Sequence, residues 1–334
     1  MKHSIPKTWR THLKNIAIAC SSWLICLPMA NTTSAQNFPD KTVKIIVPYA
    51  PGGATDIIAR ILSDELYRSW NTPVIVENRA GAGTTVGAEF VAKSPPNGYT
   101  LYETTATHTV TSSLYSNLSF DPVKDFTPIT LTSTIPLVLV VANKVPANDL
   151  PSFLNWAKAL PQGLSIGSPG TGSVQHLTSE LFKQKTGIKG TNVPYRGGAP
   201  MVTDLVGNQL DAAFVTLSEV APYISSGKVK AIALAHHQRM KSMPEIPTFD
   251  ELGMKDFLAA TWFGTFAPAN MDPTLRDKIA ADIQSVVALP GVTRKLEEMG
   301  GEVNNLGPIA FKALVEAEQK RWAEAVALSG AKID

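Results

Sequence analysis

Cysteine is nearly absent: the 334-residue chain has two, Cys20 and Cys26, both within the first 35 positions. Residues 36 onward therefore offer no disulfide, no thiolate metal ligand and no cysteine nucleophile. For ester hydrolysis, Ser173 with His176 is the one local pair worth weighing. No glycine-rich turn ends in the Lys-Ser/Thr of a P-loop, and no G-x-G-x-x-G follows the first strand, so nucleotide binding is disfavoured. Basic runs are also lacking. Lys2, Lys7, Arg10 and Lys14 all precede residue 35; without them Lys plus Arg falls from 30 to 26 against 28 acidic residues, and the formal charge moves from +2 to −2. Nothing in that balance points to a nucleic-acid partner. After residue 35 the longest apolar stretch, Ile135 to Ala142, suits a buried strand and falls far short of the roughly 20 residues that cross a bilayer.

What is present begins with an export signal. Four basic residues lead into an apolar run from Ile16 to Met29, and Thr33-Ser34-Ala35 supplies small residues for cleavage, so residues 1–35 read as a secretory signal peptide. Neither cysteine follows a lipobox. With 44% hydrophobic residues the chain can build two domains with real cores.

Strand and helix patterns alternate along it. Val43 to Val47 is a β-branched run, and Ile57, Ile58, Ile61, Leu62 and Leu66 then share a helical face. Val74 to Val76 and Thr100 to Thr104 read as the next strands, separated by a helix near Thr85 to Lys93. A second set follows Asp149-Leu150-Pro151, with strands at Leu164 to Ile166, Asn192-Val193, Ala212 to Val215 and Val229 to Leu234. Pro128 to Val141 and Ala260 to Ala267 read as two strands crossing between the sets, and three helical segments run to the C-terminus. The order predicts two α/β lobes with parallel-rich sheets, flanking helices and two crossover strands. Domain I is expected over 36–138 and 258–334, and domain II over 139–257. The cleft between them is where a small ligand is expected.

Glycine turns occur in both lobes: Tyr49-Ala50-Pro51-Gly52-Gly53-Ala54-Thr55-Asp56 and Gly81-Ala82-Gly83-Thr84 in the first, Ser168-Pro169-Gly170-Thr171-Gly172-Ser173 in the second. Each joins a strand to a helix, which places unpaired helix amides at the sheet's carboxyl edge, where an anion is favoured. Glycine alone often means only a tight turn, but the recurrence suggests a ligand with carboxylates gripped from both sides.

The segments PYAPGGATDIIARIL, VIVENRAGAGTTVGAEFVAKSPPNGYTL, SPGTGSVQHLTSELF, VPYRGGAPMVTDLVGNQLDAAF and FGTFAPANMDP, in this order, resemble the substrate-binding proteins of tripartite tricarboxylate transporters, the Bug-type proteins. The likeness runs from Phe38 to the end. It implies a type II-like periplasmic binding-protein fold whose lobes close on a dicarboxylate, tricarboxylate or aromatic carboxylate and present it to a membrane permease. It implies no cofactor, no metal and no catalysis, and a monomer. Use as a receptor for a sensor kinase is the alternative within binding. By the same resemblance the ligand carboxylate sits at Pro51-Gly52-Gly53 with the 168–173 turn facing it, and Thr107 and Tyr195-Arg196-Gly197 are further cleft positions. The chain has Val215-Thr216 where the family often carries an acidic or amide pair, which makes an amine-bearing ligand less attractive.

Individual residues also have blander roles. Asp56, in the first helical turn, suits loop support. His176, three residues after Ser173, reads as structural, and Arg196 as a carboxylate partner or a surface residue. Trp262 and Phe263 read as core or hinge, and His236-His237 as a solvated loop.

Overall fold

The computed structural model describes residues 38–115 and 117–329; the signal peptide expected over 1–35 lies outside the described residues. Strand β1 (Val43–Val47) buries every residue except Lys44. A strand apolar on both faces belongs inside a sheet covered on both sides, and β1 lies between β2 (Val74–Asn78) and β3 (Thr100–Thr105), parallel to both. The expected helix spans Ala54–Trp70, with Ile58, Leu62 and Leu66 buried. They pack in one cluster with Ile279, Ile283 and Val286 of the helix Pro273–Val287.

The same motif recurs in the second half. Strand β5 (Leu164–Ser168) lies between β6 (Gly190–Pro194) and β7 (Ala212–Thr216), again parallel to both. In each triad the strand first in sequence is central and its two successors flank it. Parallel neighbours need such crossover connections, and each crossover begins with a turn at the carboxyl end of a strand.

Strand β4 (Phe126–Ala142) ties the triads together. Its first part pairs antiparallel with β9 (Ala260–Pro268), and its second with β7 and with β8 (Val229–Leu234). Val138 thus stands opposite Val215 on one side and Leu234 on the other. Strand β9 returns the chain to β3, so the sheet runs β2-β1-β3-β9-β4-β7-β5-β6, with β8 and β10 (Glu302–Leu306) also on β4. It is parallel at both flanks and antiparallel through the crossing strands. One register shift falls beside Pro128, where the ring removes a ladder donor, and a second lies between Leu131 and Ser133.

Two elements were not expected, the helix Thr107–Leu114 and β10. No helix among the described residues is long and apolar enough to cross a membrane.

Candidate functional site

The chain leaves β1 through Pro48 and turns at Gly52, whose φ of 87° is left-handed and favours glycine. Gly53 is extended and caps the helix Ala54–Trp70 with no side-chain hydrogen bond, so the first helical amides have no local acceptor. Asp56 holds the turn from behind. Its carboxylate accepts the Gly52 amide at 2.9 Å, the Arg60 guanidinium at 2.9 and 3.0 Å, and the Asn78 side-chain amide at 2.9 Å. Burial alone would raise its pKa, but the hydrogen bonds from Arg60, Gly52 and Asn78 outweigh it and hold the carboxyl below its usual range.

A second uncapped helix start meets this one. Gly197, at φ 127°, precedes the helix Gly198–Val206 and likewise makes no side-chain cap. The Ala50 amide donates to the Arg196 carbonyl at 2.8 Å. A Cβ on Gly53 would lie 3.8 Å from the Gly198 nitrogen, and one on Gly52 would lie 3.6 Å from the Ala199 Cβ. Two helix N-termini, each carrying the positive end of its dipole, are thus brought together with no side chain from either glycine between them.

Glu219 fills the junction. It is the third residue of the helix Leu217–Ser225, and its Oε1 accepts the Ala54 amide at 3.2 Å while Oε2 accepts the Thr216 hydroxyl at 2.8 Å. A Cβ on Gly198 would fall 1.8 Å from that Oε1. The residue keeps a partly exposed edge, but protein surrounds its carboxylate; that burial pushes the pKa up, with the Thr216 and Ala54 hydrogen bonds acting against it. Beside it is a cavity of about 20 Å³, room for a water molecule. Its wall includes Tyr49, Gly53, Ala54, Thr55, Thr105, Gln175, Gly198, Thr216, Glu219 and Phe263, and no lysine, arginine or histidine. The Tyr49 phenol is raised by burial, against hydrogen bonds with Thr105 and Thr107, and Glu219 adds to the rise. The chemistry on offer is anion binding by backbone amides, with one acidic side chain among hydroxyls.

The tripartite tricarboxylate transporter family receptor profile matches residues 58–330. This chain belongs to that family. Protein BugT of Bordetella pertussis is 33% identical over 307 residues, covering 91% of this chain and 94% of BugT. The structure of the periplasmic binding protein BugD superposes with a TM-score of 0.85 at 31% identity, over 88% of this chain and 99% of BugD. MatC from Rhodopseudomonas palustris, solved with bound malate, gives 0.82 at 31% identity over 86% of this chain and 100% of its own. An R. palustris protein solved with adipate gives 0.85 at 30% identity, over 89% and 100%. The receptor therefore has the fold of periplasmic binding proteins.

The residues expected in the receptor's site divide by position. Tyr49, Gly53, Ala54, Thr55 and Thr216 line the cavity. Ala50, Pro51, Gly52, Arg196 and Gly197 make up the touching turns; Arg196 contributes its carbonyl and leaves its side chain exposed. Tyr195 turns away, donating its hydroxyl to Asp204 at 2.7 Å. The turn that meets Gly53 is 196–198, whereas the 168–173 turn rests on the 81–84 turn, where a Cβ on Gly83 would lie 3.1 Å from the Thr171 carbonyl. Within that second turn the Gly172 amide donates to His176 Nδ1 at 3.0 Å and the His176 amide to Ser173 Oγ at 3.2 Å. The imidazole is thus bonded to Gly172 and not to the Ser173 hydroxyl. Ser168, Gly170, Thr171, Gly172, Ser173 and His176 are not in the cavity wall, although Pro169 is. Thr84 and Thr107 are buried outside it. Val215 is fully buried in the core.

Positions 215 and 216 carry no acidic group, but Glu219, three residues further on, brings a carboxylate to the cavity wall. A signal was present: Thr216-Leu217-Ser218-Glu219 has the S/T-x-x-E form that opens helices. Strand alternation points Thr216 toward the cavity and Val215 into the core, so the acidic group comes from the next helical turn. Phe263 is buried in the core and also borders the cavity, while Trp262 packs against Phe311 with ring centroids 5.3 Å apart.

Two other places can be set beside this one. His237, Asp250 and Asp256 bring ligand-type atoms within 4.8 Å of one another, but Asp250 accepts from the Asp256 amide at 2.8 Å and lies 3.0 Å from the His237 ring, a staple of the loop. A larger groove of about 730 Å³ lies between the helix Val174–Thr186 and Trp322. Leu177, Leu181 and Leu258 line it together with Lys183, Lys189 and Arg321; the glycine junction is the candidate anion site because two helix starts meet there.

Proposed function

We propose that this receptor captures a small organic carboxylate in the periplasm by lobe closure and delivers it to the permease of a tripartite tricarboxylate transporter. One observation carries the reading: two helix starts, at Ala54 and Gly198, meet, each behind a glycine that supplies no side-chain cap, and Glu219 is the acceptor of the Ala54 amide. An anion placed between them gains hydrogen bonds and two dipoles without needing a cationic side chain. A dicarboxylate is the favoured class, since the structural neighbours MatC and the adipate-bound protein were solved with malate and adipate. The cavity beside Glu219 is too small for either molecule, so the turns around 52 and 198 must part to admit one. The lobes that part are 36–138 with 258–334 and 139–257, joined by β4 and β9. The protein acts as a monomer without cofactor, after removal of the signal peptide near Ala35, and without catalysis, since the Ser173 hydroxyl has no imidazole to activate it.

A thermal-shift screen tests this. The purified protein, unfolded and refolded to strip bound ligand, is heated with citrate, C4 to C6 dicarboxylates, aromatic carboxylates and acidic amino acids. Ligand at 100 times its dissociation constant adds about 2.7 kcal/mol, enough for a shift of several degrees. A selective shift with dicarboxylates is expected; a flat response across the panel would refute the reading.

A further inference from the structure

We propose that Glu219 is a tethered competitor of the ligand, a carboxylate built into the receptor that occupies the ligand's anion site, so that a dicarboxylate binds together with one proton. The inference rests on the carboxylate reading above and names the regulation of that same site.

Geometry supplies the competition. Glu219 Oε1 already accepts the Ala54 amide, and it stands so close to Gly198 that a single methyl there would overlap it. A ligand carboxylate seated at the same helix starts needs that amide and that space. Glu219 must then give up the Ala54 hydrogen bond, yet the Thr216 hydroxyl on its other oxygen and its place in the first turn of a helix keep it at the cavity wall.

Charge supplies the proton. Each element facing Glu219 contributes neutral groups: the Tyr49 phenol from the end of β1, Thr55 from the 54–70 helix, Gln175 from the 174–186 helix and Thr216 from β7. Asp56 is turned away to Arg60 and Asn78. Glu103, which burial pushes up to about 8, lies outside the cavity wall and bonds to Thr265. No basic side chain lines the cavity to balance two adjacent anions. Two carboxylates that share a site without a cation do not both stay ionised, and Glu219 starts with its pKa raised. The balanced step is uptake of a ligand dianion and a solvent proton: Glu219 yields the Ala54 amide to the ligand, becomes the neutral acid and donates its O–H at the cavity wall.

The sign follows from linkage. Ligand binding raises the Glu219 pKa further, so affinity is highest below its ligand-free value and falls as pH rises, by up to about tenfold per unit until the bound-state value is passed. Titration calorimetry of the wild type and Glu219→Gln with adipate and malate, at half-unit steps from pH 5 to 8, tests this. Glu219→Gln mimics the neutral acid at every pH and shares the ligand's own titration and that of Glu103. The ratio of wild-type to variant dissociation constants is expected to rise with pH and to be at least tenfold larger at pH 8 than at pH 5. Buffers of different ionisation enthalpy should show the wild type taking up close to one proton more than the variant in the intervening range. Equal affinities at every pH overturn the proposal and leave the carboxylate reading standing. Acidic amino acids binding the wild type, with a tenfold loss in Glu219→Gln, would make Glu219 an ammonium partner and also overturn it. Failure of both proteins to bind any carboxylate overturns the carboxylate reading and the proposal together.

Discussion

The turns at 51–55 and 168–173 look alike in sequence, each a Pro-Gly followed by a helix, and they put their amides to opposite uses. At the second, Ser173 caps its own helix and His176 reaches back to the Gly172 amide, so the turn satisfies itself. At the first, Gly53 offers no cap, and the Ala54 amide goes to an acceptor 165 residues away in sequence, Glu219. The residue at the N-cap decides between the two. A serine closes the helix start onto itself, whereas a glycine leaves it available to whatever approaches. Gly197 repeats the open form on the other side, which is why the 196–198 turn and not the 168–173 turn completes the junction.

The comparison can be broken most sharply at Gly53. Its extended backbone tolerates a side chain, but a Cβ there would come within 3.2 Å of the Glu219 Oε1 and stand in the approach to the Ala54 amide. Gly53→Val is expected to weaken dicarboxylate binding at least about 100-fold, some 2.7 kcal/mol, with an unfolding midpoint close to wild type; calorimetry and a melt read both.

Asp56 tests the support behind the open turn. Asp56→Asn removes the ion pair with Arg60 and weakens the hold on the Gly52 amide. A loss of about 1–3 kcal/mol of stability is expected, with a several-fold loss of affinity as the turn loosens. The pH dependence follows from the depressed pKa. The stability that Asp56 contributes is present above the ordinary aspartate value, near pH 4, and is lost as pH falls through its lower folded value. Melts between pH 3 and 6 should therefore show a shallower acid loss in Asp56→Asn than in wild type.

The smallest effect is expected at the closed turn. Ser173→Ala removes a helix cap and should cost about 1 kcal/mol of stability while leaving dicarboxylate affinity within twofold. If this variant lost binding as Gly53→Val is expected to, the distinction between the open and closed turns would fail.

Much of this arrangement was legible from the residues. Val43 to Val47 and the 57–66 stripe marked β1 and its helix because burial on both faces leaves no polar alternation in a strand and a clear stripe on a helix. The glycine turn was legible too, since only a few residue types tolerate its backbone. The helix Thr107–Leu114 was not: its threonines are weak helix formers, held because Thr109 and Thr111 bond back to Ala106 and His108 and because Ser112 meets Gln319 of the C-terminal helix. Strand β10 is short and polar, and only its pairing to β4 makes it a strand. Glu219 escaped for a different reason. The spacing Thr216 to Glu219 marks a helix start, but the role of Glu219 depends on the helix 217–225 and the turn at Gly53 meeting across 165 residues, a tertiary contact.

The central claim is that the two open helix starts form the ligand's anion site, and a crystal structure of the receptor with adipate or malate tests it most directly. The account predicts a ligand carboxylate oxygen about 3 Å from the Ala54 amide nitrogen, between the 53 and 198 turns, with Glu219 no longer on that amide. A ligand bound in the groove between Leu181 and Trp322, with Glu219 still holding Ala54, would contradict it.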